Sequence, residues 1–303
     1  MITVLASAKG GSGKTTLTTG LACESAHRGA RTLLIDADTQ GNATHWLIGG
    51  DELLSTTGDG GRSLFRLFVD GDPFDPITAR ANLDLIPAGP RTQSLADELT
   101  RMFTHSLTTK TEALAEVRRL LHAATEDYDE VWIDTPPSLQ SPALIECFLS
   151  AADQVLVPFK ASSDHARAAY QVIEQLVRLD ELGIEHATPV GVIVFDRDAQ
   201  ATRLEAAVHE ELERISHFVP VFDTPVIHRA SPAAAALRFH LSPRELVDAA
   251  VDKKSRLAAL RRGKTAIAAE AVPQPPVQRE VAEKYANNIA DVYDEFRRRT
   301  AAS

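Results

Sequence analysis

The chain has 303 residues, of which 44% are hydrophobic and 24% charged, and it carries a formal net charge of −10. That length buries a sizeable core without disulfides or metal. The acidic balance excludes nucleic-acid binding over the whole surface and confines any such activity to a local basic patch. Its two cysteines, Cys23 and Cys147, have no CxxC spacing, which reads as two buried thiols in a reducing compartment. The ten histidines are scattered without metal-ligand spacing. No stretch approaches the ~20 apolar residues of a membrane helix, and the N-terminus runs straight into a strand, so no signal peptide is expected.

In chain order, "ITVLAS" (2–7) is a buried-strand run that ends at a glycine loop, "AKGGSGKTT" (8–16). Helical spacing of Leu17, Leu21 and Cys23 to Ala26 follows, from Thr15 to about Arg28. "RTLLIDAD" (31–38) is a second strand ending in two aspartates, "LDLIPAG" (83–89) a third, and "YDEVWIDTPP" (128–137) a fourth ending in Asp134. "QVLVPF" (154–159), "PVGVIVFD" (189–196) and "PVFDTPV" (220–226) complete the strand-like runs. Helical patterns lie between most of them, at about 94–103, 111–125, 139–150, 164–182 and 200–215. Continuously apolar strands alternating with helices predict an α/β fold: a doubly wound, mostly parallel sheet with helices on both faces. The stretch 49–72, rich in glycine and aspartate at both ends, reads as a surface excursion. Residues 263–278 form a proline-containing linker, and 279–303 an amphipathic helix with an apolar stripe of Val281, Tyr285, Ile289, Val292 and Phe296, expected to dock on the main domain (1–262).

In such sheets ligands sit at the carboxyl ends of strands, where the polar residues collect here. Gly10, Gly11, Ser12 and Gly13 allow the backbone N–H groups to turn inward around a phosphate, and the following helix adds its positive end. Lys14 would reach the β- and γ-phosphates, the Thr15 hydroxyl would ligate Mg²⁺, and Thr16 would touch the α-phosphate. Asp134 stands where a nucleotide-hydrolysing fold holds magnesium, commonly through water. Alternation puts Asp36 and Asp38 on the same face of their strand end, one suited to orient an attacking water and the other to help the magnesium shell; helix-capping is the structural alternative. Two departures from the common G-x-x-x-x-G-K-[ST] loop remain: Ala8 replaces its first glycine, and a second lysine, Lys9, follows.

"KGGSGKTT", "DADTQGN", "NLDLIPAG" and "IDTPP" together resemble the ParA/MinD family of deviant Walker A P-loop ATPases, over residues 1 to about 245. The resemblance implies MgATP binding, slow hydrolysis, and an ATP-bound homodimer whose phosphate loops face each other. Lys9 then looks like the signature lysine that crosses to the partner's phosphates, Asp38 like the water-activating aspartate, and Asp36 and Asp134 like the magnesium-side carboxylates. Thr39 replaces the proline most common there. Phe195, Asp196 and Pro225 are the candidates for the adenine pocket.

Within the family, the cysteines do not suit a bridging cluster, and the tail is not tyrosine-rich as in the kinase relatives. Glu280, Glu283, Asp291, Asp294 and Glu295 on the terminal helix would be repelled by anionic lipid, so no membrane partner is expected. "DKKSRLAALRRGK" (252–264) gathers Lys253, Lys254, Arg256, Arg261, Arg262 and Lys264; with Arg229 it is the candidate surface for nonspecific DNA, a solvated charged face being the plain alternative. The resemblance thus points to the ParA partition branch: a cytoplasmic, nucleoid-associated ATPase that segregates plasmid or chromosome with a ParB-like centromere-binding adaptor. Self-regulating operator binding is not expected. The alternatives are positioning of a protein cargo, such as a chemotaxis cluster or microcompartment, and an ATP-binding regulatory scaffold.

Overall fold

In the computed structural model the apolar runs become β1 (Ile2–Leu5), β2 (Thr32–Asp36), β4 (Leu83–Ile86), β5 (Glu130–Asp134), β6 (Gln154–Lys160) and β7 (Thr188–Phe195), joined by a short edge strand, β3 (Ile77–Arg80), which the sequence pattern did not announce. The structure describes residues 1–49, 59–105, 107–137, 140–160, 162–195, 206–227, 230–250 and 275–301. One seven-stranded sheet has the order β3-β4-β2-β5-β1-β6-β7, parallel except for the β3–β4 hairpin. β1, β2 and β5 are buried along their whole length, which is why they read as unbroken apolar runs.

The helices are α1 (Lys14–His27), α2 (Asn42–Ile48), α3 (Arg62–Asp70), α4 (Pro90–His105), α5 (Leu107–Ala124), α6 (Pro142–Ala151), α7 (Ser163–Glu181), α8 (Ala206–Ser216), α9 (Ala230–Arg238), α10 (Pro243–Ala249) and α11 (Arg279–Ala301). Side chains alternate along each strand, so the sheet divides the core in two. Val4, Ile35 and Ile133 face Phe68, Leu95, Leu121 and Phe148 on one side. Leu5, Leu34 and Trp132 face Leu17, Trp46, Tyr285 and Phe296 on the other.

Two expectations fail for identifiable reasons. The run 220–226 is not a strand: Phe222 N and Val226 N donate to Val192 O and Val194 O, but only Val221 pairs with the sheet. Pro220 and Pro225 lack the N–H that a ladder requires. The 49–72 excursion is not all surface either. Residues 50–58 lie outside the described residues, but α3 buries Leu64, Leu67 and Phe68, and Phe68 packs on Phe148 with ring centroids 5.8 Å apart. Beside it the backbones of Gly60 and Gly89 approach so closely that a Cβ on Gly89 would lie 2.3 Å from the Gly60 carbonyl carbon. This contact is the physical content of the "IPAG" segment.

Buried acids fix the helices on the second face. Glu24 receives Arg28 and Arg244. Glu130 receives the Trp132 ring N–H, the Tyr293 hydroxyl and Arg297. Glu295 of α11 is 4% exposed, so it is not one of the solvent-facing acids of that helix. Its two oxygens accept from the backbone N–H of Asp223 (2.9 Å) and Thr224 (2.8 Å), and Arg299 pairs with it. Burial alone would raise this carboxyl, but the donors from Thr224, Asp223 and Arg299 outweigh it and hold it below its ordinary value of 4.5. A carboxyl depressed by folding stabilises the fold above its unfolded value, and that contribution disappears as pH falls through the folded value. In urea unfolding, the stability advantage of wild type over Glu295→Gln should shrink as the pH drops from about 7 to about 3. An advantage that stays constant over that range would assign the anchor to neutral hydrogen bonding alone.

Candidate functional site

The chain leaves β1 at Leu5 and enters α1 at Lys14, so the glycine loop hangs from the carboxyl edge of the sheet's middle strands. Gly11 and Gly13 both adopt left-handed backbone (φ 72° and 91°). Gly13 has a second constraint: a Cβ there would lie 2.4 Å from the Phe195 ring, which covers the loop from the end of β7. The loop and the first turn of α1 line a cavity of about 520 Å³. Gly10, Gly11, Ser12, Gly13, Lys14, Thr15 and Thr16 form its floor, and Asp38, Gln40, Asn42, Pro137 and Gln140 form its sides. Of these, Pro137 and Gln140 escaped the sequence reading, although "IDTPP" ends at the first of them.

Lys14 is only 6% exposed. Burial lowers its pKa, while the charges of Asp134 and Asp38 pull it back up. Asp134 ends β5, fully buried, beside Asp36 at the end of β2 in the parallel register. Its Oδ1 accepts from the Thr18 hydroxyl at 3.4 Å, and its Oδ2 is buried with no hydrogen-bond partner. Burial and the neighbouring Asp36 push its pKa well above the usual carboxylate range; the Thr15 hydroxyl and Lys14 act the other way. An orphaned carboxylate oxygen beside a threonine hydroxyl is the hard oxygen donor set that Mg²⁺ takes. Among the described residues no group of three or more His, Cys, Asp or Glu side chains forms a self-sufficient metal site. The residues present therefore fit a magnesium ion that shares its shell with phosphate oxygens and water.

The two aspartates at the carboxyl end of β2, Asp36 within it and Asp38 just beyond, are placed differently. Asp38 lines the cavity, and its Oδ1 is held by the backbone N–H of Gln40 at 3.0 Å. Asp36 is turned to the protein instead. Its Oδ2 accepts from both the N–H and the hydroxyl of Thr44 at 2.7 Å, and its Oδ1 from the N–H of Asp38 at 3.2 Å. Asp36 thus fastens the first turn of α2 from the strand, although the N-cap of that helix is Gly41, and at the same time positions Asp38. Burial raises its carboxyl to about 7 against the pull of the Thr44 donors. The Thr44 hydroxyl also accepts from Ala88 N at 2.9 Å, which ties α2 to the "IPAG" segment. Thr44 went unread in the sequence because a threonine three residues into a helix carries no distinguishing local pattern.

Lys9 does not line the cavity. Its ammonium lies 3.3 Å from Asp164 in the first turn of α7, and the lysine side chain is 44% exposed. Phe195 covers Gly13, and Pro225 lies on the segment beside β7. Asp196, Arg229, Lys253, Lys254, Arg256, Arg261, Arg262 and Lys264 lie outside the described residues. No helix among the described residues is long and apolar enough to cross a membrane.

A glycine loop entering a helix between central strands, with its lysine sealed among strand-end carboxylates, defines a P-loop nucleotide-binding protein. Residues 1–183 match the AAA domain family. The chain is 32% identical over 220 residues to the sporulation initiation inhibitor protein Soj of Bacillus subtilis, covering 70% of this chain and 79% of that protein. It is equally identical over 211 residues to the maintenance of carboxysome distribution protein A of Synechococcus elongatus, covering 68% of this chain and 76% of that one. The fold matches the solved structure of a Cyanothece McdA(D38A)–ATP complex with a TM-score of 0.67 at 20% identity, over 97% of this chain and 95% of that chain. The protein belongs to the ParA/MinD family of P-loop ATPases, on its partition branch.

The Thr44 hydroxyl serves two partners, so its removal should be felt at both. Thr44→Val leaves the Ala88 N–H unsatisfied and removes one of the two donors to Asp36 Oδ2, and is expected to cost about 1–3 kcal/mol in urea unfolding, with Thr44→Ser close to wild type. Equal stability of the valine variant would show that this link is not structural.

Proposed function

We propose that this protein is a ParA-like partition ATPase whose MgATP-bound homodimer binds nonspecific DNA and is reset by hydrolysis, stimulated by a ParB-like adaptor. The observation that carries this is the placement of Asp38 in the same cavity as Lys14 and the phosphate loop. Backbone N–H groups of residues 10–16 and the buried Lys14 would hold the triphosphate. Thr15, together with Asp134 through its unpartnered oxygen, would hold Mg²⁺. When bound, the ion neutralises phosphate charge and orients the triphosphate. Asp38, fixed by Gln40 N–H and by Asp36 behind it, would orient the attacking water. Asp36 serves as its support.

Lys9 does not line the cavity of its own chain, and among the described residues its side chain pairs with Asp164 in a weak exposed ion pair. That leaves it free to reach a second subunit's phosphates in the ATP-bound dimer. The basic run 252–264 and Arg229 supply the proposed DNA surface on sequence grounds. The likeness to the carboxysome distribution protein keeps a second reading open: the same ATPase cycle, with a protein body as the cargo. In both readings the nucleotide drives attachment to nucleoid DNA in the cytoplasm, and the adaptor differs.

The test is ATP-dependent retention on nonspecific DNA. Wild type should bind only with MgATP and lose affinity steeply with added salt, as counterion release requires. Lys14→Ala should abolish binding. Asp38→Ala should retain it while phosphate release falls by about 10²-fold or more. Binding of equal strength with and without ATP would overturn the reading.

A further inference from the structure

The terminal helix grips one loop to an extent that docking alone does not require. α11 buries Ala282, Tyr285, Ala286, Ile289, Val292 and Phe296, which is sufficient apolar surface for attachment. It also buries two polar side chains, Asn288 (7% exposed) and Glu295 (4% exposed). Burying such groups costs free energy unless they are fully hydrogen-bonded. Both find their partners in the backbone of residues 223–227. Asn288 Nδ2 donates to Pro225 O at 3.0 Å, and its Oδ1 accepts from Ile227 N at 2.9 Å. Glu295 accepts from Asp223 N and Thr224 N. Arg299 donates to Val221 O at 2.8 Å and lies over the Phe222 ring at 4.6 Å. Together these backbone contacts fix the path of one extended, proline-interrupted segment.

The position of that segment in the sheet gives it a role. Along the carboxyl edge, the order is Asp36 and Asp38 at the carboxyl end of β2, Asp134 at the end of β5, the phosphate loop after β1, then β6, and Phe195 at the end of β7. The carboxylates mark where the terminal phosphate and its metal belong. The nucleoside of a bound triphosphate must therefore leave the loop on the opposite side, toward β7. There the Phe195 ring covers Gly13, and Val226 N donates to Val194 O at 2.8 Å, which sets residues 223–227 beside Phe195. α11 also packs on α1 itself, where Ile289 covers Gly20 in the middle of that helix.

We propose that α11 belongs to the nucleotide site: Asn288 and Glu295 are positioning residues that hold segment 223–227 as the wall on the base side, so that the terminal helix sets affinity and selectivity for the base. The proposal rests on the nucleotide-binding reading above and deepens it. It separates two parts of one ligand. The triphosphate is read by the loop and α1, and the base by a wall that α11 holds in place.

The two parts can be titrated separately in the full chain, with Mg²⁺ present, by displacement of a fluorescent ATP analogue. ATP and GTP report the base together with the phosphates, and inorganic tripolyphosphate reports the phosphate loop alone. Asn288→Leu keeps the size of the side chain and removes both hydrogen bonds. It should weaken ATP about tenfold and narrow the ATP-to-GTP ratio, with tripolyphosphate unchanged. Unchanged tripolyphosphate binding also reports an intact fold. Should the leucine variant not fold, Glu295→Gln, which keeps one amide oxygen, should show the same pattern in weaker form. Equal loss for ATP and tripolyphosphate, or no loss for either in a folded variant, overturns the assignment to α11 and leaves the nucleotide reading standing. A wild-type chain that binds none of the three removes both.

Discussion

The site depends on one electrostatic constraint: a lysine and three aspartates are taken out of water at the carboxyl ends of neighbouring strands. Lys14, Asp36, Asp38 and Asp134 are all nearly or completely buried. Burial alone drives Lys14 toward its neutral form and Asp134 toward its protonated one. Lys14 and Asp134 offset part of this by facing each other, but the neighbouring Asp36 works against the Asp134 charge, and one oxygen of Asp134 has no partner. A polyanion arriving with a divalent cation supplies what each member lacks. The ammonium gains phosphate oxygens, and the orphaned carboxylate oxygen gains a cation. The cluster is thus pre-stressed toward the proposed ligand, which separates it from a merely buried ion network.

That cluster reaches the rest of the molecule through short connections. Asp36 holds Asp38 with one oxygen and the start of α2 with the other, and Thr44 passes the link to Ala88. Ala88 adjoins Gly89, whose backbone abuts Gly60 ahead of α3. α2 in turn is tied to the turn after α9, since the Trp46 ring N–H donates to Leu241 O. A displacement of Asp38 on engaging water or phosphate therefore bears on α2 and the "IPAG" segment together, and these lie on the β2 side of the sheet. The backbone contacts of α11 with residues 221–227 lie on the β7 side, while Tyr293 and Arg297 also anchor it to Glu130 of β5.

The sequence made the sheet legible because strands covered on both faces carry an unbroken apolar signal, and it made the phosphate site legible because that chemistry is local: glycines, lysine and threonine within nine residues. What it concealed was of three kinds. β3 is a short edge strand whose residues are half exposed, so it has no apolar run. The 220–226 segment has a strand's composition, but its prolines remove the N–H groups a strand needs. Glu295 looked like a member of a polar helix face and Asn288 gave no signal, because a partner 61 to 72 residues away in the chain leaves no mark on local periodicity. Asp36 was ambiguous for a related reason. Alternation puts it on the same face as Asp38, but only the fold shows that Thr44 already occupies it.

These two sides give the terminal helix a logic that apolar docking lacks. A helix held only by Tyr285, Ile289 and Phe296 would be stable on α1 whether or not the nucleotide site were in order. Asn288 and Glu295 change that, because their hydrogen bonds exist only when residues 223–227 follow one particular path. Any ligand that favours that path also favours the seating of α11, and the reverse follows by linkage. The helix also carries Arg28 on its outer side through Asp294, and Arg28 adjoins the end of α1, the helix whose first turn lines the cavity. On the proposed reading, both ends of a bound nucleotide would be connected to the same 23-residue element, one through α1 and one through the base-side segment.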